Sequence, residues 1–486
     1  MNTYLGIDLG TSSVKLLLVA ANGKILNAVT KEYPIFYPQS GWSEQRPEDW
    51  LSATTQGINE LLIGYRREDV KGLSVGGQMH GLVMLDREGE VIRPAILWND
   101  GRTQAQTDYL NQTVGREKLS ACTANIAFAG FTAPKILWVK ENEPQNFAKI
   151  DKIALPKDYL IYKLTGVHST DYSDASGMLL LDVKNKCWSK ELCEICSVKP
   201  EWLPTLAESY EVVGTVRSEF NLPNAVVTAG AGDNAAAAIG TGTVNVGDCN
   251  ISLGTSGTVF IAQNDFSVDQ NNSLHSFAHA NGKYHLMGCV LSAASCNKWW
   301  MEQVLQTDNF AAEQEGLEPL LGENDVYFLP YLMGERSPHN DVNARGCFIG
   351  MRPDTARKHL TLAVMEGVAF ALRDCVEVAK AGGLRIDATT ICGGGAKSEL
   401  WKKIVCNVFG VPVRSLAVEE GPAYGAAMLA MVGAKEYATV QDAAKKLVTV
   451  TQEITPSPAL TNKYEQRYRR FQKLYPALKA FFNEKA

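Results

Sequence analysis

The chain has 486 residues, too many for one compact core, so two or three domains are expected. A formal net charge of −6 without any long basic block excludes a nucleic-acid surface. With 45% hydrophobic and 21% charged residues the composition is that of an ordinary globular protein and not of a disordered one. The first basic residue is Lys15, and Asp8 interrupts the early apolar run, which is the reverse of a signal peptide. No apolar run is long enough to span a bilayer, so no membrane partner is expected. The eleven Cys are scattered, several of them within apolar runs, as buried thiols are in a reducing compartment; the cytoplasm is the expected location. Cys193-Glu194-Ile195-Cys196 has no second pair or nearby His and reads as two helical thiols.

The first predicted element is a hairpin, Tyr4 to Val19, turned by Gly10-Thr11-Ser12-Ser13. Small hydroxyl residues leave backbone N–H groups open to an anionic oxygen, as in other phosphate loops. Asp8 ends the first strand beside that turn, and a carboxylate next to a phosphate calls for a cation between them, with Mg²⁺ the natural choice. Asn22-Gly23 turns the chain into a third strand, Lys24 to Val29. A helix starts at Pro47 and shows its core through Trp50, Ala53, Thr54, Gly57, Ile58, Leu61 and Leu62. The strand Val70 to Gly77 ends in Gln78-Met79-His80-Gly81, with Leu82 to Asp86 expected as its hairpin partner. The strand Pro94 to Trp98 ends in Asn99-Asp100-Gly101-Arg102. Ligands of α/β sheets sit at the carboxyl ends of strands, and side chains that donate and accept suit a polyhydroxyl ligand. A further helix follows Thr132, its expected N-cap. Leu155 to Leu160 and Ser173 to Gly177 read as connecting structure.

The strand Ala225 to Ala229 runs through Gly230-Ala231-Gly232 into Asp233, Asn234 and an Ala-rich helix. Asp233 fits two roles, a helix-start acid or a general base held beside a Gly-lined approach. The opening motif then recurs: Ile251 to Ile261 is again strand, Gly254-Thr255-Ser256 turn, strand. Two such hairpins half a chain apart point to two related domains, 1–244 and 245–486, facing one ligand. Hairpin strands His275 to Ala280 and Tyr284 to Val290, a helix from Ser295 to Val304 and a long helix over about Ala356 to Ala381 follow. The buried strand Thr389 to Cys392 ends in Gly393-Gly394-Gly395, where flat or anionic groups can lie against the backbone. Gly421 to Ala427 opens a helix with a small face, and Tyr464, Tyr468, Phe471 and Tyr475 mark a terminal amphipathic helix whose basic face is expected in solvent.

These residues resemble the FGGY family of carbohydrate kinases, within the actin/hexokinase/Hsp70 superfamily. Gly130 to Asn142, with Pro134-Lys135 and Trp138, resembles the first family signature. Gly346 to Met351, continued by His359-Leu360 and Ala363 to Glu366, resembles the second. The resemblance implies an α/β fold of two ribonuclease H-like domains with the active site between them. It implies ATP and Mg²⁺ as the phosphoryl donor and its metal, and a small-molecule sugar as acceptor. Gln78 to Gly81, Trp98 to Arg102 and Leu155 to Asp158 are most similar to the family's bacterial xylulokinase branch, which implies phosphorylation of the 5-hydroxyl of D-xylulose. By the same resemblance Asp233 is the catalytic base and Asp8 places Mg²⁺. Gln78, Met79, His80, Trp98, Asn99, Asp100 and Asn234 bind sugar. Gly10, Thr11, Ser12, Gly254, Thr255, Ser256, Gly394 and Gly395 handle the nucleotide. A homodimer is a possible assembly. The rivals are kinases of the family for ribulose, fuculose, gluconate or glycerol, a binding or regulatory protein that has lost activity, and a chaperone or filament-type ATPase. Intact Asp8 and Asp233 argue against the second; the last is expected to carry a peptide-binding or polymer-contact segment, and neither a β-sandwich appendix nor a long insert is read in the sequence.

Overall fold

The computed structural model describes residues 1–484. The chain opens with β1 (Thr3–Leu9), β2 (Ser13–Ala20) and β3 (Ile25–Glu32), an antiparallel meander in which Asp8 faces Lys15 across the first hairpin. α1 (Pro47–Leu61) buries Trp50, Ala53, Thr54, Gly57, Ile58 and Leu61, the stripe its spacing dictates. β4 (Val70–Gly77) then lies parallel to β1 on the side away from β2. α2 (Thr132–Asn142) and α3 (Pro156–Thr165) come next. β5 (Val212–Thr215), β6 (Val226–Thr228) and the two-residue β7 (Ala231–Gly232) complete the sheet, and β7 runs directly into α4 (Asp233–Gly240).

The second half repeats this plan. β8 (Asp248–Leu253) and β9 (Gly257–Gln263) form the hairpin, with β10 (His275–Ala278) and β11 (Tyr284–Val290) extending it by antiparallel pairing. The long α5 (Arg357–Ala381) forms the spine of this half, its middle turns wholly buried. β12 (Ala388–Cys392) is parallel to β8, as β4 is to β1. α6 (Glu399–Phe409), β13 (Val413–Leu416), α7 (Gly421–Gly433), β14 (Val450–Ile454) and α8 (Pro458–Phe471) complete it. The two sheets run β5-β6-β4-β1-β2-β3 and β10-β11-β9-β8-β12-β13-β14, so the two Gly-Thr-Ser turns occupy corresponding corners. No helix among the described residues is long and apolar enough to cross a membrane.

The halves interlock. α7 belongs to the second half by sequence but lies on β1, β4 and α4 of the first. The approach is backbone to backbone: a Cβ on Gly6 would sit 1.9 Å from the Ala423 carbonyl oxygen, and one on Gly425 would sit 1.8 Å from that of Ala236. Only glycine tolerates such contact.

Several expectations are corrected. Leu82 to Asp86 does not fold back on β4, because both edges of β4 are already taken by β1 and β6. Instead Val83–Leu85 pairs with Lys152–Ala154, and His80, with φ of 69°, turns the chain out of the sheet. The strand at Pro94 to Trp98 shrinks to Ala95–Ile96, paired with Glu44–Gln45. The N-cap of α2 is Phe131, and the Thr132 hydroxyl goes elsewhere. The terminal aromatics Tyr464, Tyr468, Phe471 and Tyr475 are buried as expected, but the expected single helix divides: Tyr475 lies on a separate helix, Leu474–Asn483, and the other three on α8. Arg467 on the same helix is not in solvent, because Glu366 of α5 needs a partner: Arg467 sits 2.5 Å from it and the Tyr464 hydroxyl donates to it at 2.9 Å. Cys193 and Cys196 are buried free thiols.

Candidate active site

The carboxyl ends of β1 and β4, the β7–α4 turn and the two Gly-Thr-Ser hairpins supply the polar residues. At the first hairpin the carbonyls are engaged: the Tyr33 hydroxyl donates to Gly10 at 2.5 Å, the Tyr33 N–H to Ser12 at 3.2 Å and the Gln45 amide to Thr11 at 2.6 Å. Among the described residues no group accepts from the Thr11 and Ser12 N–H groups, which leaves a ready anion nest. At the second hairpin the Thr255 carbonyl accepts from Ala293 N–H at 2.9 Å and the Ser295 hydroxyl at 2.7 Å, and the Gly254 carbonyl from Ala294 N–H at 2.8 Å. Thr255 and Ser256 thus present the matching N–H groups.

Asp8 and Asp233 face this region. Burial is the main cause that pushes the Asp8 carboxyl up to about 7; the Asp233 charge adds to it, and Lys15, itself ion-paired with Glu420, opposes it. The Asp8 side chain accepts no hydrogen bond among the described residues, which fits a carboxylate held for a cation. Asp233 is the first residue of α4 and Gly232 its N-cap. Asp233 Oδ1 accepts from the Asn234 N–H at 2.7 Å and the Asn234 amide at 2.9 Å, leaving Oδ2 open. Burial raises its carboxyl to about 6 against these bonds.

His80 stands at the end of β4. Its Nδ1 lies 2.7 Å from the Gly177 carbonyl, so Nδ1 carries the proton and Nε2 is the acceptor. Burial above all lowers its pKa to about 3, which keeps the ring neutral. The ring stacks on Phe131 at 4.6 Å. The strained backbone of His80 is clamped through its carbonyl, which accepts from the Thr132 hydroxyl at 3.0 Å and Lys135 Nζ at 2.9 Å. Thus the first signature helix grips the carboxyl end of β4, a role that spacing could not show.

Gln78 is buried, donates to Gln45 Oε1 at 3.1 Å and keeps its own Oε1 without a partner. Met79 is pressed against the turn before Asp233, where a Cβ on Gly232 would lie 2.9 Å from its Cγ. Trp98 is 42% exposed and its indole N–H donates to Thr11 Oγ1 at 3.0 Å, joining its loop to the first hairpin. Asn99 is exposed beside it, whereas Asp100 is buried and accepts from the Ser43 N–H at 2.6 Å, the Arg102 N–H at 2.9 Å and the Arg102 guanidinium at 2.7 Å. The Gly393 turn reaches the second hairpin: a Cβ on Gly393 would lie 2.8 Å from the Leu253 carbonyl, and one on Gly395 2.9 Å from the Leu253 side chain. Gly394 faces open space. Beside it a cleft of about 370 Å³ is lined by Cys392, Ala396, Lys397, Leu416, Val418 and Glu419. Lys397 ends the Gly-rich turn itself, whereas Val418 and Glu419 lie in a loop without a motif and were not singled out in the sequence.

The model of the FGGY family of carbohydrate kinases, N-terminal domain, matches residues 3–240, and that of the C-terminal domain residues 249–434. The chain is 37% identical over 484 residues to a xylulose kinase of Bacillus subtilis (strain 168), covering 98% of this chain and 97% of that protein. It is 38% identical over 488 residues to a xylulose kinase of Escherichia coli (strain K12), covering 98% and 99%. A crystal structure of a xyloylose kinase from Brucella ovis superposes with a TM-score of 0.93 at 38% identity, covering 99% of this chain and 100% of the other. With two sheets built on one plan, paired Gly-Thr-Ser hairpins and this full-length likeness, the chain belongs to the FGGY family of carbohydrate kinases, sugar phosphotransferases of the actin/hexokinase-like fold.

Proposed function

We propose that this protein transfers the γ-phosphoryl group of ATP to the 5-hydroxyl of D-xylulose, giving D-xylulose 5-phosphate and ADP. The observation that carries the choice of sugar is 37% and 38% identity to proteins named xylulose kinase across 98% of the chain. In this reading Met79, His80 Nε2, the free Oε1 of Gln78, Asn99 and Asn234 hold the sugar, with Trp98 covering it. In the same reading Asp100, whose carboxylate is engaged by Ser43 and Arg102, sets the loop. The first and second hairpins take the phosphates on their free N–H groups, and the nucleotide base lies in the cleft beside Gly394 and Gly395. Two domains, 1–244 and 245–486, close over both substrates in the cytoplasm.

The sugar hydroxyl gives its proton to Oδ2 of Asp233 as its oxygen bonds to the γ-phosphorus; the bond from phosphorus to the β-phosphate oxygen breaks, and ADP leaves with that electron pair. Asp8, free of hydrogen bonds and next to the first nest, would hold Mg²⁺. Bound Mg²⁺ supplies neutralisation of the phosphate charge. Asn234 keeps the base oriented, and the buried surroundings of Asp233 keep its affinity for the proton high.

A coupled ADP-release assay over D-xylulose, ribulose, fuculose, gluconate and glycerol, with a sugar-free control, tests the reading. D-xylulose is expected to give the highest kcat/KM. A tenfold preference for another acceptor would reassign the sugar, and release without any acceptor would point to a plain ATPase.

A further inference from the structure

Beneath the base lies a buried polar network that the reaction just described does not use. Lys157 sits 2.6 Å from Asp158 Oδ1 and 3.0 Å from Asp171 Oδ1, and all three side chains are fully buried. Its ammonium also donates to the Ala229 carbonyl at 3.2 Å. Asp171 Oδ2 accepts from the Ser173 N–H at 2.9 Å, the Ser173 hydroxyl at 2.5 Å and the Ser209 hydroxyl at 2.7 Å. With its proton directed at Asp171, the Ser173 oxygen turns a lone pair outward, and that lone pair accepts the Gly232 N–H at 3.1 Å. The Gly230 N–H donates to the Ser209 carbonyl at 3.1 Å. The turn before Asp233 is therefore held at Ala229, Gly230 and Gly232 by members of one network.

Hydrogen bonds are the handle available here. Gly230 has φ of +75° and Gly232 is pressed against Met79, so neither can carry a side chain to pack. Buried ion pairs are often no more stabilising than apolar residues of the same volume, so stability alone does not account for this one. Phosphoryl transfer depends on placement, and a misplacement of about 1 Å can cost about a hundredfold in rate. We propose that Ser173, oriented by Asp171 and through it by Lys157, is a positioning residue that fixes the Gly232–Asp233 turn and so aims the Asp233 carboxylate. The proposal rests on the reading of Asp233 as the base.

The test is a double-mutant cycle assayed well below the melting temperature. Ser173→Ala should lower kcat about tenfold, with KM for D-xylulose and for ATP within about twofold of wild type. In an Asp233→Asn background the same substitution should lower the residual kcat by less than about twofold, because the group it aims is gone. Ser209→Ala removes another donor from the same Asp171 oxygen without touching Gly232; it should lower Tm much as Ser173→Ala does and leave kcat within about twofold. Unchanged kcat in Ser173→Ala, an equal loss in the Asp233→Asn background, or an equal loss in Ser209→Ala would each overturn the positioning role. Full activity of Asp233→Asn by itself would instead remove the base reading on which the role depends. If Ser173→Ala does not accumulate folded, Ser173→Cys keeps the volume, offers a poor acceptor and is read by the same criteria.

Discussion

In the proposed reading Asp233 meets two demands with one carboxylate. One oxygen is tied to Asn234 at the start of α4, and the other is free to take a proton. Asparagine keeps the helix-start contacts and cannot act as a base, so Asp233→Asn separates the two. We expect kcat to fall by about 10²–10⁴ with both substrates still bound. Stability should not fall. A carboxyl raised to about 6 when folded, from an ordinary value near 4, is a group whose ionised form the fold disfavours. It therefore subtracts stability as pH rises from about 4 to 6 and goes on subtracting it above that, so the Asn variant should melt at the wild-type temperature or slightly higher at pH 8. The same raised value points to the working range: kcat/KM of the wild type, which reports the free enzyme, should drop about tenfold per pH unit below about 6. An acid limb near 4, or an Asn variant that melts early with a proportionate loss of activity, would favour the purely structural role. Asp8 makes a different prediction. Without hydrogen bonds of its own, it should be dispensable for folding and needed for the metal, so Asp8→Asn should raise the Mg²⁺ concentration for half-maximal rate. Wild-type rates across a Mg²⁺ titration would reduce Asp8 to a hairpin residue.

Among the elements, α4 and α7 set the position of the base from behind. A methyl on Gly425 would meet the Ala236 carbonyl at 1.8 Å, and backbone cannot yield as a side-chain tip does. Gly425→Ala should therefore push α4 off α7, destabilise the protein by at least about 1–3 kcal/mol and lower kcat with it. A normal Tm together with normal kcat would mean the two helices slide freely. Gly394 is the contrasting case, since nothing in the protein lies within 4 Å of the Cβ it would gain. Gly394→Ala should leave Tm unchanged and raise KM for ATP alone; an unchanged KM would move the nucleotide elsewhere. These helices also mark where sequence stops being informative. The hairpins were legible because alternation and a repeated Gly-Thr-Ser turn are local, and His80 and Asp233 because each follows a strand directly. The small face of α7 was legible too, but that it packs on the first sheet and not on its own half is a matter of partners far apart in the chain. The pairing of Val83–Leu85 with Lys152–Ala154 was hidden for the same reason. Lys135 and Lys157 were hidden by their chemistry: a lysine in a sequence reads as surface, and only the tertiary fold shows the carbonyls and carboxylates that bury it.

At the scale of the whole molecule, the two nests belong to different sheets, and in the proposed reading one triphosphate reaches both. The halves are already tied on the sugar side: the Asn125 amide donates to the Ser276 carbonyl at 2.9 Å, and the Ala278 N–H donates to the Ser176 hydroxyl at 3.0 Å. On the nucleotide side Lys15 of the first hairpin pairs with Glu420 just ahead of α7. In the proposed reading, closure of the halves brings the two hairpins together over the triphosphate. Phosphoryl transfer gains from such closure by excluding water and by completing the site only when both substrates are present. Small-angle scattering should therefore record the smallest radius of gyration with D-xylulose and a non-hydrolysable ATP analogue together, and intermediate values with either alone. Hydrogen exchange should fall at Thr11, Ser12, Thr255 and Ser256 only in the ternary state, as their free N–H groups engage phosphate. If either substrate alone gave the full compaction, closure would not depend on the second substrate; if neither the radius nor the exchange changed, the hairpins would already stand at catalytic distance and the closure reading would fall.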